Sequence, residues 1–324
     1  MAGGRFRGLC WAGFLAAVVL AALPGCGGDP EESDAAGLVE AMLADLPVVD
    51  GSTSTWPMRV LLMCGLLDIP CDWQGEAFAP ERWVAPREGS SPEARLIEEH
   101  TVTSGTHGAY EGLLAGSADV IIVARAPSDE ELAAADAAGV GLEVRPVARD
   151  AFVFLVHGGN PVTGLTLEQV RGIYSGQIVD WAEVGGPSRP IQPYQRDAAS
   201  GSQELMLRLV MGGVPMIDAP DWLMLYAMTG PFTALAWDEA GIGYSVYYYA
   251  EFMQPESEVV MLGIEGVVPA ASTIADGTYP LVAEVFAVMR AGDGGSGRAL
   301  FDWLLTEEGQ RAIAGTGYVP LPDP

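Results

Sequence analysis

The stretch that decides the fold class is residues 118–131, where Ala-Asp-Val-Ile-Ile-Val-Ala (118–124) is soon followed by Ser-Asp-Glu-Glu (128–131). The first part is a short apolar run, which is typical of a strand buried on both faces. The second part places a serine at a helix N-cap and three acidic residues in the first turn, where the helix dipole favours negative charge. A buried strand leading directly into a helix predicts an α/β protein.

The same alternation continues on both sides of this stretch. Towards the N-terminus, residues 48–50 end a short strand, and a helical pattern runs from about residue 56 to residue 67. Towards the C-terminus, residues 151–156 form a second apolar run, and residues 166–169 (Thr-Leu-Glu-Gln) open a helix with a capping-box pattern. Repeated alternation of this kind predicts a mostly parallel sheet flanked by helices.

The N-terminus has the pattern of an export signal. Two arginines, Arg5 and Arg7, precede an uncharged stretch (8–28) that ends its apolar part in Leu-Pro-Gly-Cys (23–26). This cysteine pattern resembles the lipobox of bacterial lipoproteins, which predicts a signal peptide over 1–25 and lipidation of Cys26. Residues 26–45 then form a tether and a first helix, and the body lies outside the cytoplasm, in the periplasm or at the cell surface. The alternative is an uncleaved membrane anchor, for which the apolar stretch is long enough.

The charge balance excludes two classes of partner. The chain has 43 Asp and Glu residues against 16 basic residues, all arginine, for a formal net charge of −27. Such a surface repels nucleic acid and anionic lipid headgroups. It does not exclude a small anion as ligand, because surface charge is screened over roughly 8 Å at physiological salt and a recessed ring of donors dominates its own cleft.

The cysteines predict one disulfide. Cys10 lies in the signal and Cys26 at its processing site, which leaves Cys64 and Cys71 for the exported body. Export favours their oxidation, and closing so short a loop would stabilise the fold by roughly 2–3 kcal/mol. A metal site requires more ligands than this pair provides, so we expect a disulfide joining a helix end to the next loop.

Three segments rich in Ser, Thr and Gly each lead into a helical pattern: residues 50–57, 101–108 and 196–204. A helix start leaves about four N–H groups free and carries partial positive charge, and small hydroxyl residues there allow an oxyanion to approach. Any one segment alone is explained by ordinary capping. The third also contains Arg196, four residues before Ser200, which offers a bidentate fork to two oxygens of an anion.

These segments resemble those of the phosphate-binding proteins of ABC phosphate importers. Residues 196–202 (Arg-Asp-Ala-Ala-Ser-Gly-Ser) match that family's Arg-x-x-x-Ser-Gly-Thr motif, with Ser202 in place of the threonine. Residues 51–57 resemble its first phosphate loop, and residues 160–181 resemble the segment before the arginine motif. Further landmarks at 241–244, 276–281 and 309–321 follow in the expected order, so the resemblance covers nearly all of the exported chain.

The resemblance implies a type II periplasmic-binding-protein-like fold, with a ligand cleft between two lobes that close on phosphate. Lobe I would comprise residues 46–152 plus 263–324, and lobe II residues 153–262. The expected partners are inorganic phosphate or a similar oxyanion and the ABC permease subunits, and we expect a monomer that is not an enzyme and requires no metal or cofactor. The expected ligand-binding residues are Ser54, Thr55, Trp56, Ser104, Thr106, Arg125, Arg196, Ser200, Gly201 and Ser202.

One departure from the family opens an alternative. Where the family has an aspartate just before Ala-Pro, this chain has Ala-Arg-Ala-Pro (124–127). A carboxylate there favours protonated phosphate over sulfate by about 1–3 kcal/mol, whereas Arg125 would favour a more highly charged anion unless it pairs with a surface acid. The alternative function is therefore a binder or sensor of sulfate or molybdate. An enzyme acting on a phosphorylated substrate is a second alternative, disfavoured because His100, His107 and His157 complete no base or metal arrangement.

Overall fold

A computed structural model describes residues 37–42, 44–75, 81–87, 91–255 and 257–322. The expected signal peptide, Cys26 and the tether at residues 27–35 lie outside these residues. A helical segment at residues 37–42 precedes the first strand, and Leu38 and Met42 pack into the core. Within the described residues, no helix combines the length and apolar character needed to cross a bilayer.

The first part of lobe I contains the predicted strands and helices, together with a hairpin and a pair of consecutive helices that interrupt the alternation. Its elements are β1 (Val49–Gly51), α1 (Trp56–Leu66), β2 (Cys71–Gly75), β3 (Arg82–Pro86), α2 (Pro92–His100), α3 (Gly105–Ala115), β4 (Val120–Val123) and α4 (Asp129–Ala138). The predicted N-cap of α4 is confirmed, because Ser128 and Glu131 form a capping box. The strand β5 (Leu142–His157) then leaves lobe I and enters lobe II.

Lobe II contains shorter elements. They are β6 (Gly164–Leu165), α5 (Leu167–Tyr174), β7 (Gln192–Pro193), β8 (Gln195–Arg196), α6 (Gly201–Leu205), β9 (Met224–Leu225), α7 (Gly230–Leu235), β10 (Gly241–Val246), β11 (Val259–Met261) and β12 (Gly263–Ile264). π-Helical segments follow α6 at Met206–Met211 and follow β10 at Tyr249–Met253. The predicted capping box of α5 is confirmed, since Thr166 and Gln169 cap each other's backbone.

The chain then returns to lobe I through α8 (Ala271–Ala275), β13 (Val282–Arg290), α9 (Gly295–Trp303), α10 (Glu307–Gly315) and β14 (Val319–Pro320). Gly263 and Ile264, the first residues expected on this return, pair with β6. The boundaries of the two lobes stay a prediction.

The central sheet is mixed, with the order β1-β4-β13-β5-β10-β7. The outer pairs β1–β4 and β10–β7 are parallel, whereas β13 runs antiparallel to both β4 and β5. The expectation of a mostly parallel sheet is thus wrong at the centre. β4 and β5 do run in the same direction, as a strand–helix–strand unit requires, but the returning strand β13 is inserted between them.

The strand β5 belongs to both lobes. Residues Leu142–Ala151 pair with β13, and residues Phe152–Leu155 pair with β10. Residues Ala151–Val156 are at most 1% exposed, which confirms the buried strand predicted from their apolar sequence. The ladder changes partner next to the expected boundary between residues 152 and 153.

Candidate functional site

A cleft of about 470 Å³ lies between the lobes. Lobe I contributes the turn after β1 and the start of α3, and lobe II contributes the loop into α6 and the segment around β9. The lining includes Ser52, Thr53, Ser54, Gly105, Thr106 and Ala124 from lobe I, and Arg196, Ser200, Gly201, Ser202, Tyr226 and Met228 from lobe II. Most of these residues carry hydroxyl, amide or guanidinium donors, which suits an anion.

The turn after β1 is shaped by a close backbone approach at Gly51. A Cβ at this position would overlap the carbonyl oxygen of Ile122 and the guanidinium of Arg59, so only glycine fits. The chain then turns through Ser52, whose Oγ accepts a hydrogen bond from Ala124 N at 3.0 Å and lies 2.7 Å from Thr106 Oγ1. These bonds hold the ends of β1, β4 and the start of α3 around one point.

The buried side chain of Arg59 supports this turn through hydrogen bonds. Arg59 is 1% exposed and donates to Ser52 O at 3.0 Å, Val102 O at 2.8 Å and Thr103 Oγ1 at 2.6 Å. Burial lowers the pKa of Arg59 to about 10, with Asp50 acting in the opposite direction, so the guanidinium remains charged at neutral pH. Our sequence reading missed Arg59, although a lone arginine within the apolar helix α1 was a usable signal.

Asp50 connects the same turn to the start of α3. Its Oδ1 accepts hydrogen bonds from Gly51 N at 2.6 Å and Ser104 N at 2.9 Å. Because Ser104 is fixed in this way, the next residues, Gly105 and Thr106, start α3 at the cleft. The first amides of α3 therefore face the cleft without intrahelical acceptors.

Arg196 reaches the cleft from lobe II and is largely buried there. Its Nε donates to Leu225 O at 2.8 Å, and its Nη atoms contact Met228 Sδ and Tyr226 O at 3.4 Å each. A guanidinium has five N–H donors, so within the described residues two of them are left for a ligand. Burial lowers the pKa of Arg196, which still leaves it charged at neutral pH because arginine pKa values are very high.

The starts of two helices meet across the cleft. Helix α6 begins at Gly201 after Ser200, and its first residue lies so close to Thr106 that a Cβ on Gly201 would overlap Thr106 Oγ1. Each helix start carries partial positive charge and free amides. This geometry can hold a tetrahedral oxyanion between both lobes at once.

The expected ligand-binding residues divide into two groups. Ser54, Thr106, Arg196, Ser200, Gly201 and Ser202 line the cleft. The others do not lie in its lining: Thr55 Oγ1 donates to Ile122 O at 2.6 Å, Trp56 Nε1 donates to Val84 O at 3.2 Å, and Ser104 bonds to Asp50. The fourth, Arg125, has a buried partner of its own.

Arg125 forms a buried ion pair with Glu131. The two side chains are 4% and 2% exposed, and the pair is bidentate at 2.6 and 2.8 Å. Burial opposes ionisation of Glu131, but Arg125 and the N–H of Ser128 outweigh it and hold the pKa of this carboxyl below its usual value. The acid that neutralises Arg125 is therefore Glu131, a buried residue in the first turn of α4 and not a surface acid.

Two carboxylates among the described lining residues, Glu81 and Asp197, were missed by our sequence reading. Glu81 lies ahead of β3 in lobe I, and its Oε1 accepts a hydrogen bond from Tyr249 Oη of lobe II at 2.7 Å. Burial raises the pKa of Tyr249, so the phenol remains a donor. Glu81 was not predictable, because its partner is far away in sequence.

The described residues contain no group of three His, Cys, Asp or Glu side chains arranged to hold a metal ion. The predicted disulfide is present between Cys64 in α1 and Cys71, the first residue of β2, with a Cα–Cα distance of 6.2 Å. It joins the helix to a hairpin, β2–β3, where a loop was expected.

Comparisons with known proteins show a superfamily, several curated relatives and several solved structures that this chain resembles. A family model described as a PBP superfamily domain matches residues 92–308. A phosphate-binding protein PstS of Staphylococcus saprophyticus is 28% identical over 230 residues, which cover 68% of this chain and 70% of that protein. Protein SphX of Synechococcus elongatus is 24% identical over 294 residues, covering 86% of this chain and 84% of its own length.

Solved structures show the same fold. An ABC-type phosphate transport receptor from Vibrio cholerae superposes with a TM-score of 0.60 at 22% identity, covering 85% of this chain and 100% of that one. A phosphate-binding protein from Stenotrophomonas maltophilia superposes with a TM-score of 0.55 at 13% identity, covering 85% and 91%. At these identities the similarity establishes the fold.

Proposed function

This chain belongs to the PBP (periplasmic binding protein) superfamily, and from that premise we propose that it captures inorganic phosphate outside the cytoplasm for an ABC-type importer. Relatives named as phosphate-binding proteins support the ligand. The observation that carries the proposal is the meeting of α3 and α6 at one cleft, together with the partly free guanidinium of Arg196.

The cleft residues bind the anion in complementary ways. Arg196 donates to two phosphate oxygens through its remaining N–H groups, and charge-assisted bidentate bonds of this kind are the strongest available to a side chain. Ser54 and Thr106 from lobe I, and Ser200 and Ser202 from lobe II, donate from their hydroxyl groups. The first amides of α3 and the N–H of Gly201 complete the set.

Lobe closure follows from this division of donors. A phosphate held by lobe I alone or by lobe II alone makes only part of its contacts, so the ligand binds the closed form more tightly than an open one and shifts the population towards closure. The protein performs no chemistry in this scheme. It presents the loaded, closed form to the permease.

The position of Arg125 weakens the case for a sulfate or molybdate binder. Its guanidinium is neutralised by Glu131 and lies outside the cleft lining, so it adds no preference for a more highly charged anion. We therefore keep phosphate as the ligand and treat the other oxyanions as outcomes of the test.

The export features complete the proposal. We propose that residues 1–25 are removed as a signal peptide, that Cys26 is acylated, and that the protein acts as a membrane-tethered monomer. Mass spectrometry of the N-terminal peptide from membrane fractions tests this, with Cys26→Ala as the comparison. Recovery of unmodified Cys26 from the membrane fraction would contradict lipidation.

Isothermal titration of the purified chain with phosphate, sulfate and molybdate tests the ligand. We expect phosphate to bind most tightly. Arg196→Ala should weaken binding by about 100-fold or more, since hydrogen bonds to charged groups contribute about 1.5–3 kcal/mol each. Arg311→Ala is the matched control, because Arg311 is an exposed arginine that pairs with Glu307 on α10. Unchanged phosphate affinity in Arg196→Ala would contradict the proposed site.

A further inference from the structure

Asp150 occupies the point where β5 passes from one lobe to the other. It directly precedes Ala151 within β5. The ladder partner of β5 changes from β13 to β10 between Ala151 and Phe152. The side chain is 3% exposed. A carboxyl group is rarely buried to this extent without a cation or a full set of hydrogen bonds.

The carboxylate joins β5 to the segment that follows β10. Its Oδ1 accepts a hydrogen bond from Ala151 N at 2.8 Å, on β5, and from Tyr248 N at 3.0 Å, just after β10. Among the described residues, its Oδ2 has no hydrogen-bond partner. One oxygen therefore ties these two segments together, and the other is positioned to take up a proton.

A chain of direct contacts leads from this carboxylate to the cleft. The ring of Tyr248 stacks on that of Tyr318 with centroids 3.9 Å apart and planes 12° apart. Tyr318 Oη then donates to Ser54 O at 2.8 Å, and Ser54 lines the cleft. A shift of Tyr248 would therefore displace the turn at Ser54, which we propose binds the anion.

The surroundings of Asp150 explain its titration. The titratable groups that face it are the phenols of Tyr247 and Tyr248 from the segment after β10 and of Tyr318 next to β14, while its ladder partner on β13 is Ala283. Burial raises the pKa of each phenol, so these groups are uncharged near neutrality. Burial likewise raises the pKa of Asp150 to about 7, against the two backbone hydrogen bonds.

We propose that Asp150 is a positioning residue through which protons regulate anion affinity, an inference that rests on the proposed function. The ionised carboxylate accepts strong, charge-assisted bonds from Ala151 and Tyr248 and holds β5 and the segment after β10 in register. When solvent delivers a proton to Oδ2, the group becomes neutral and Oδ1 becomes a weaker acceptor. Tyr248 is then held less firmly, the turn at Ser54 loosens, and affinity falls.

The test compares the chain with its Asp150→Asn variant between pH 5.5 and pH 8.5. Asparagine keeps an oxygen acceptor but cannot ionise. The ratio of the two phosphate dissociation constants removes the titration of phosphate itself, which is common to both proteins. We expect the variant to bind about as tightly as the parent at pH 5.5 and at least threefold more weakly at pH 8.5.

Two controls make the result specific. Asp136→Asn, at an exposed position on α4, should give a ratio that does not change with pH. Tyr318→Phe keeps the stack but removes the bond to Ser54, and it should reduce the dependence of affinity on pH even if Asp150→Asn fails to fold. An unchanging ratio for Asp150→Asn, or a pH profile of Tyr318→Phe identical to that of the parent, would overturn the proposal.

A ligand-free measurement separates this proposal from the proposed function. The near-ultraviolet circular dichroism of the Tyr248–Tyr318 stack should change with an inflection near pH 7 in the parent and lack it in Asp150→Asn. If phosphate binds at no pH, the proposed function fails, and this spectrum still decides whether Asp150 titrates near pH 7. A flat spectrum in the parent would refute the role of Asp150.

Discussion

At the scale of single residues, the cleft depends on contacts so close that no larger side chain fits. Gly201 has an ordinary helical backbone, so its glycine is not required by conformation. It is required by the approach of Thr106 from the other lobe, where any side chain would collide. The requirement for glycine at this position shows how closely the two lobes approach each other.

We expect Gly201→Ala to weaken phosphate binding with little loss of stability. Overpacking costs about 1–3 kcal/mol, which corresponds to about 5-fold to 150-fold in the dissociation constant, and the added methyl group acts between the lobes. Titration calorimetry and thermal unfolding measure the two effects. Gly65→Ala on α1, where a Cβ meets no atom within 4 Å, is the control. Unchanged affinity in Gly201→Ala would show that the lobes do not close at this contact.

Arg125 makes a different prediction, about stability. Arg125→Ala leaves Glu131 buried without its partner, which should destabilise the protein by about 3–5 kcal/mol. The preference for phosphate over sulfate should stay the same, because the pair lies outside the cleft lining. Denaturant unfolding and competitive titration test the two parts. A variant with parent-like stability and altered selectivity would assign Arg125 to the ligand.

The residues that sequence could and could not predict differ in where their partners lie. Arg196, Ser200 and Ser202 form one contiguous segment, so local pattern was enough to find them. Arg59 donates to Val102, 43 residues away, and Tyr249 donates to Glu81, 168 residues away. Such contacts depend on topology that no local window contains.

At the scale of elements, the β2–β3 hairpin is the feature that the sequence pattern did not predict. Its strands pair antiparallel from Cys71–Pro86 to Gly75–Arg82. The disulfide fixes its first residue to α1, and Trp56 Nε1 donates to Val84 O on its second strand. The hairpin places Glu81 beside Tyr249, so the disulfide lies at the base of an element that reaches the cleft.

We expect replacement of both Cys64 and Cys71 by serine to lower the free energy of unfolding by about 2–3 kcal/mol, the loop-closure value for so short a ring. Denaturant titration measures the loss. The parent protein under a reducing agent should show the same decrease, and the serine variant should not respond to that agent. A variant as stable as the parent would mean that α1 and Val84 alone hold the hairpin.

Helix starts and buried strands were predictable elements, whereas strand order was not. The capping boxes at Ser128 and Thr166 are local, and both are present. The insertion of β13 between β4 and β5 joins segments more than a hundred residues apart. Only the family resemblance gave an expectation on this point, namely that residues 263–324 belong to lobe I.

At the scale of the whole molecule, Asp150 affects stability as well as affinity. Its folded-state pKa of about 7 lies above its ordinary value of 3.8, so the native state retains a proton that the unfolded state has released. Stability from this group is therefore full below pH 4 and is lost as pH rises to about 7. The maximum loss is about 4 kcal/mol, from 1.36 kcal/mol for each pKa unit.

We expect the stability of Asp150→Asn relative to the parent to increase between pH 4 and pH 8, because asparagine does not have to ionise in the buried site. Chemical denaturation at several pH values measures it. Repulsion among the surface acids also changes over this range, but it is common to both proteins and cancels in the difference. A difference that stays constant with pH would show that Asp150 titrates normally.

The strand β5 finally determines how the molecule comes apart. This sixteen-residue strand pairs with β13 in one lobe and with β10 and β11 in the other. Unfolding of either lobe would leave part of β5 without its ladder partners, so we expect the lobes to unfold as one cooperative unit despite the cleft between them. Scanning calorimetry should show a single transition whose calorimetric and van't Hoff enthalpies agree, and two resolved peaks would show that the shared strand does not couple the lobes.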